Sequence, residues 1–206
     1  SPGKGPFRFN LIIFVFESIL NEFIMITTGN TIVSIYTEMT PNPETMKFVA
    51  NKLLYPGKSI DIAEEAHAIA SPLAKELFKF PYVKEIFIDE NYISVTKYDI
   101  NNWDEITLEL RSYIKQFIEN GGTVLEENFV QETLVEETKK TEDFDNLDVT
   151  SQKIINILEE YVKPAVAADG GNIAFESYNE EDKVVKVILQ GACSGCPSST
   201  FTLKSG

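Results

Sequence analysis

A chain of 206 residues, 43% hydrophobic and 24% charged, has the make-up of a globular protein with length for two small cores. A formal net charge of -14, with no Lys/Arg-rich block to offset it, excludes nucleic acid as a partner. Two cysteines only three positions apart cannot form a secreted disulfide framework; they suit a reducing compartment, and a cytoplasmic location is expected.

Residues 1–30 read as an apolar leader. Phe7 to Ile26 is rich in aromatic and aliphatic side chains, but Arg8, Glu17 and Glu22 leave Phe9 to Phe16 as its longest uncharged stretch. That is short of the roughly 18 to 20 residues needed to cross a bilayer, so no membrane span is expected. No small-residue cleavage pattern follows, and Arg8 alone does not make an organellar transit peptide. The leader is either an amphipathic appendage or not natively translated, with Met25 as a plausible start.

Residues 31–122 read as a first domain. TIVSIYTE from Thr31 is β-prone and runs into TPNP, where Pro41 and Pro43 impose an extended loop. DIAEEAHAIA, which holds the single histidine, His67, looks helical. Ser71 and Pro72 form an N-cap and first-turn proline for a short amphipathic helix with Leu73, Leu77 and Phe80 on one face. VKEIFIDENYISVTKY predicts a hairpin broken at Asp89 to Asn91. A helix capped by Asn102 or Asp104 then runs through Ile118 to a stop at Gly121 and Gly122.

Residues 123–146 read as an acidic linker. From Glu126 to Asp148 nine acidic residues face only Lys139 and Lys140, and the few apolar side chains keep no period. Charge repulsion would hold such a tether extended.

Residues 147–206 read as a second domain. Ile154, Ile155, Leu158, Tyr161, Val162, Ala165 and Val166 recur at helical spacing, with a kink or break expected at Pro164 and a stop at Asp169 to Gly171. Strands Asn172 to Tyr178 and Lys183 to Gln190 follow, joined by an acidic turn. The second strand leads into GACSGCPSS and TFTLKSG, and the sequence ends before any helix that could cover the sheet. The fold class is therefore α/β (α+β): two small two-layer domains joined by an acidic tether, the second cut short.

The chemistry rests on Cys193 and Cys196. A CxxC turn points two thiolates at one metal or cluster. Gly195 relaxes the turn, and Pro197 sits where a helix would begin. Cys196 is then an N-cap whose thiolate is favoured by the backbone amides and the helix dipole, an effect of about 0.3 to 1 kcal/mol. Four-ligand sites need twice what one chain offers, and His67 reads as a solvated or packed histidine. Two chains giving two thiolates each satisfy the count. Structural zinc and a thioredoxin-like dithiol redox centre remain open on local chemistry alone, although only ten residues follow Cys196.

ADGGNIAF followed by VVKVILQGACSGCPSSTFTLK closely resembles the C-terminal domain of the NifU-like (Nfu-type) iron-sulfur scaffold and carrier proteins. TEMTPNPETMKFVANK and the chain to about Gly122 look like the N-terminal domain that accompanies it in many members. The resemblance implies a 4Fe-4S cluster, with 2Fe-2S the alternative, bridging a homodimer through Cys193 and Cys196 of each subunit. It also implies a cluster donor, delivery to apo-proteins and no catalysis. The family often has aspartate where Asn172 stands, a change expected to matter little.

Overall fold

The computed structural model of the chain describes residues 32–56, 59–126, 129, 144 and 146–196. Five antiparallel strands form the main sheet: β1 (Ile35–Met39), β2 (Thr45–Ala50), β3 (Ile60–Ile62), β4 (Val83–Asp89) and β5 (Tyr92–Lys97). Their spatial order is β1-β2-β5-β4-β3. The expected hairpin is β4-β5, with Asp89 opposite Tyr92 at its closed end. β1 starts at Ile35, later than the β-prone sequence suggested. The sequence reading omitted β2 and β3, of six and three residues, because each is too short to display a period between its flanking turns.

One face of the sheet is apolar by strict alternation. Met46, Phe48 and Ala50 of β2, Ile86 and Ile88 of β4, and Ile93 and Val95 of β5 all lie in the main core. Two helices cover that face, α1 (Pro72–Leu77) and α2 (Trp103–Glu119). α2 contributes Ile106, Leu110, Ile114 and Ile118, spaced at one helical turn, and each such fully buried side chain stabilises the fold by about 1.5 to 3 kcal/mol. Both starts follow the sequence signals. The Ser71 Oγ accepts from the Ala74 N–H at 3.0 Å, and the Glu105 carboxylate reaches back to the Asn102 N–H at 3.2 Å. At the other end Gly121, with φ of 76°, lets the chain turn out of the helix. Val124 and Leu125 beyond it are buried in the same core.

DIAEEAHAIA is not one helix. Its first two residues finish β3, and Glu65–Ala70 is a 3-10 turn, because Ser71 and Pro72 begin a new helix directly after it.

After the acidic segment, most of which lies outside the described residues, a continuous helical rod precedes a hairpin. It comprises α3 (Val149–Ile157), a π-helical turn (Leu158–Val162) and α4 (Lys163–Ala168). Pro164 neither ends nor breaks it. Proline has no N–H for the regular ladder, and the preceding Lys163 N–H reaches the Leu158 carbonyl, a wider loop of backbone that absorbs the mismatch. β6 (Gly171–Asn179) and β7 (Val184–Gly191) form the expected hairpin, with Lys183 at φ of 52° in its turn. Val184, Val185 and Ile188 of β7 are exposed.

The second face of the main sheet carries Thr45, Lys47, Val49, Phe87, Tyr92 and Ser94, and β2 and β5 are buried at every position. That pattern requires cover on both faces. The segment from α4 to β7 supplies it, in contact with β4 and with these side chains. Among the described residues no helix is long and apolar enough to cross a membrane. Phe7 to Ile26, Met25 and Pro197 to Gly206 lie outside the described residues, as do the expectations placed on them.

Candidate functional site: the cysteine loop

Cys193 and Cys196 sit on a tight turn leaving β7, and neither is in a disulfide. The turn is fixed by its own backbone. The Ser194 N–H donates to the Gly191 carbonyl at 3.0 Å, and the Ser194 hydroxyl donates to the same oxygen at 2.9 Å. The Ala192 N–H reaches back to the Gly170 carbonyl at 3.2 Å, tying the loop to the end of α4. The Cys193 thiol points toward the Val166 carbonyl, 4.0 Å away.

Two glycines make this approach possible. A Cβ on Gly171 would lie 2.9 Å from the Cys193 Sγ and would also strike the Gln190 carbonyl. Gly191 has φ of 62°, and a Cβ there would come within 2.8 Å of both the Gly170 carbonyl and the Phe87 ring. The DGG and QGA steps of the sequence thus have a steric task beside the thiols. Both cysteines are deeply covered, at 5% and 4% exposure.

The main sheet contributes the surroundings. The Ser94 hydroxyl donates to the Gly170 carbonyl at 2.7 Å, and the Tyr92 hydroxyl lies 2.9 Å from the Gly171 carbonyl and 3.1 Å from the Asp89 carboxylate. Burial, followed by the negative charge of Asp89, holds the Tyr92 phenol well above its ordinary pKa, so it stays a donor. Asn172 Nδ2 donates to the Ser59 hydroxyl at 2.7 Å and to Gln190 Oε1 at 3.2 Å. An aspartate could not make both donations, so the asparagine, taken from sequence to matter little, has a definite bridging role.

His67 lies elsewhere. It is exposed, 3.4 Å from the Glu64 carboxylate on the 3-10 turn, as expected of a solvated histidine. Among the described residues no group of three or more His, Cys, Asp and Glu side chains could hold a metal ion. The sequence reading missed Lys47, Tyr92 and Ser94; for Lys47 and Ser94 the one visible signal is a polar side chain between apolar neighbours of a strand.

Residues 35–121 match the family model for the scaffold protein Nfu/NifU N-terminal domain, and residues 154–206 match the NifU-like domain. Together the matches span more than half of the sequence. This chain belongs to the Nfu/NifU family. It is 35% identical over 184 residues, 89% of its length, to the mitochondrial NFU1 iron-sulfur cluster scaffold homolog of Drosophila willistoni. It is also 35% identical over 172 residues, 84% of its length, to the mitochondrial NifU-like protein 4 of Arabidopsis thaliana. The chain spans 61% and 59% of the lengths of these relatives. A NifU-like protein of Saccharomyces cerevisiae, solved in solution, matches at 26% identity with a TM-score of 0.42, over 47% of this chain and 87% of the other.

The relatives overturn one expectation. A cytoplasmic location was inferred from thiol usage, yet these Nfu proteins are mitochondrial. Available thiols indicate only reducing surroundings, which more than one compartment provides, so cysteine count cannot separate them.

Proposed function

We propose that this protein is an iron-sulfur cluster scaffold and carrier, not an enzyme, working in mitochondria as its named relatives do. Cys193 and Cys196 of two copies hold one 4Fe-4S cluster between them, and the cluster passes from a donor to apo-proteins. The observation that carries this reading is the glycine-lined CxxC turn. It carries two buried cysteines in a family with members named iron-sulfur cluster scaffold homologs, while the described residues offer no third ligand beside them. Four thiolates then require a second copy. An interfacial cluster suits transfer, because an incoming thiolate can replace the ligands of one subunit at a time. We further infer the division of the chain into a partner-binding domain at residues 31–122, an acidic tether at 123–146 and a cluster domain at 147–206.

Anaerobic reconstitution tests the reading. The expected product is a brown dimer with four irons and four sulfides per two chains, lost in Cys193→Ser and in Cys196→Ser. Mössbauer spectra separate 4Fe-4S from 2Fe-2S. A colourless zinc-loaded protein, or a monomer with a Cys193 to Cys196 disulfide that reduces insulin, would overturn it.

A further inference from the structure

The cluster reading and the observed loop conflict in one respect: thiols that are to share a cluster with another chain must face outward, and these two are about as covered as core residues. We propose that the second face of the main sheet is a cap for the cysteine loop, which clasps the loop in the cluster-free chain and must release it before a cluster can be shared with a second copy. This inference rests on the cluster role of Cys193 and Cys196.

The fit between cap and loop is chemically matched. Every helix leaves its last carbonyls without an internal partner, and the turn after α4 adds more. The sheet meets those oxygens with a row of side-chain donors: Lys47 at Ala167, Ser94 at Gly170 and Tyr92 at Gly171. Beyond them Asn42 Nδ2 reaches the carbonyl of Ala192, next to Cys193, at 3.4 Å. In this row the donors stand on the sheet and the acceptors on the loop, 76 to 150 positions apart in sequence, while Asn172 donates the other way, to Ser59. The apolar part of the contact is equally specific, since Phe87 packs where any side chain larger than hydrogen at Gly191 would collide with it.

Release leaves the main core covered and exposes only the small apolar cluster of Val49, Phe87 and Tyr92. The main core of the sheet lies on its opposite face, under α1 and α2, so the face uncovered would be the one bearing Thr45, Lys47, Val49, Phe87, Tyr92 and Ser94. Residues 123–146, read from the sequence as an acidic tether, separate the two halves. Cap and second copy therefore compete for one loop, and the thiols are shielded whenever no cluster is present.

Thiol alkylation of the reduced, metal-free full chain tests this. Ser94→Glu sets a carboxylate against the Gly170 carbonyl and beside Lys47, its cross-strand neighbour, which it draws off Ala167. N-ethylmaleimide should modify Cys193 and Cys196 at least about tenfold faster in this variant, as expected when one charge-assisted or two neutral hydrogen bonds are lost. Lys47→Gln gives a smaller rise in the same direction and serves should Ser94→Glu fail to fold by circular dichroism. Small-angle scattering should show both variants, and the cluster-loaded wild type, with a larger radius per chain than the metal-free wild type. Wild-type thiols that react as fast as those of the variants, or unchanged rates and radii in both variants, would overturn the cap. Neither alkylation nor scattering of the metal-free chain needs a cluster, so failure of the cluster reading would appear separately, in the reconstitution.

Discussion

The ammonium of Lys47 on β2 donates to the carbonyl oxygens of Ala167 at 2.9 Å and Ala168 at 3.4 Å, closing the end of α4 from the opposite half of the protein. It also pairs with Glu38 at 3.1 Å and lies 4.5 Å from the centre of the Tyr92 ring. A buried cation at a helix C-terminus combines a charged hydrogen bond with the dipole. Lys47→Met keeps the aliphatic stem and removes the charge, and should cost about 1 to 3 kcal/mol in urea unfolding. Lys84→Met, which removes the half-exposed pair with Glu85, should change stability by less than about 1 kcal/mol. Equal effects would mean that the helix end gains nothing from Lys47.

Gly191 and Gly195 flank the same cysteine and should respond in opposite ways to an added methyl. Gly191 is left-handed and pressed against Phe87 and the Gly170 carbonyl, so Gly191→Ala should cost about 1 to 2 kcal/mol for the backbone alone, with the collision added. A Cβ at Gly195 meets nothing within 4 Å, and Gly195→Ala should stay within about 0.5 kcal/mol of wild type. Thermal melts of the two variants check this. Similar losses at both positions would point to a requirement of the turn itself and not of its packing.

How far these contacts were legible follows from their range. The β4-β5 hairpin, the capped helix α2, the β6-β7 hairpin and the CxxC turn all announce themselves within a few residues, through alternation, capping and spacing. β2 does alternate, with Met46, Phe48 and Ala50 on one face, but a strand of six residues gave too short a record. Lys47 and Ser94 went unremarked, because nothing local says that a helix end more than 70 residues away will cover them. Pro164 was legible as an irregularity. Its resolution as a π-helical turn depends on which carbonyl the Lys163 N–H finds.

Ser71 is a junction as well as a cap. Its Oγ accepts from the Ala74 N–H at 3.0 Å and donates to the Val124 carbonyl at 2.7 Å, all three residues being buried. Ser71→Ala removes the cap, at about 1 kcal/mol, and leaves a buried carbonyl without that donor, at about 1 to 3 kcal/mol more. The loss should appear in urea unfolding of the full chain. A loss below about 0.5 kcal/mol would show that the chain beyond α2 is not held through this hydroxyl.

Two aspartates should give stability opposite dependences on pH. Asp148 starts α3, accepting from the N–H groups of Thr150 and Ser151 at 2.9 Å each and from the Ser151 hydroxyl at 2.5 Å. Those bonds, the Ser151 hydroxyl first, hold its carboxyl below the ordinary value. Its contribution is present above the unfolded pKa of about 3.9 and is lost as pH falls through the lower folded value. Asp61 on β3 is open to solvent on one side, but the protein packed around its carboxyl desolvates it and pushes it upward, with the Gly191 N–H opposing the shift and Glu85 adding to it. Folding then disfavours its ionised form. The penalty is present above the raised folded value and disappears as pH falls toward 3.9 and below. Asp61→Asn should therefore raise stability at pH 7, with the gain shrinking on acidification, whereas Asp148→Asn should lower it at pH 7, with the loss shrinking on acidification. Urea midpoints of both variants and wild type, followed from neutral pH to below the ordinary carboxylate value, read these slopes directly. A loss of stability at pH 7 in Asp61→Asn would mean that the Gly191 N–H outweighs burial and that the Asp61 carboxylate helps hold β7 against the sheet.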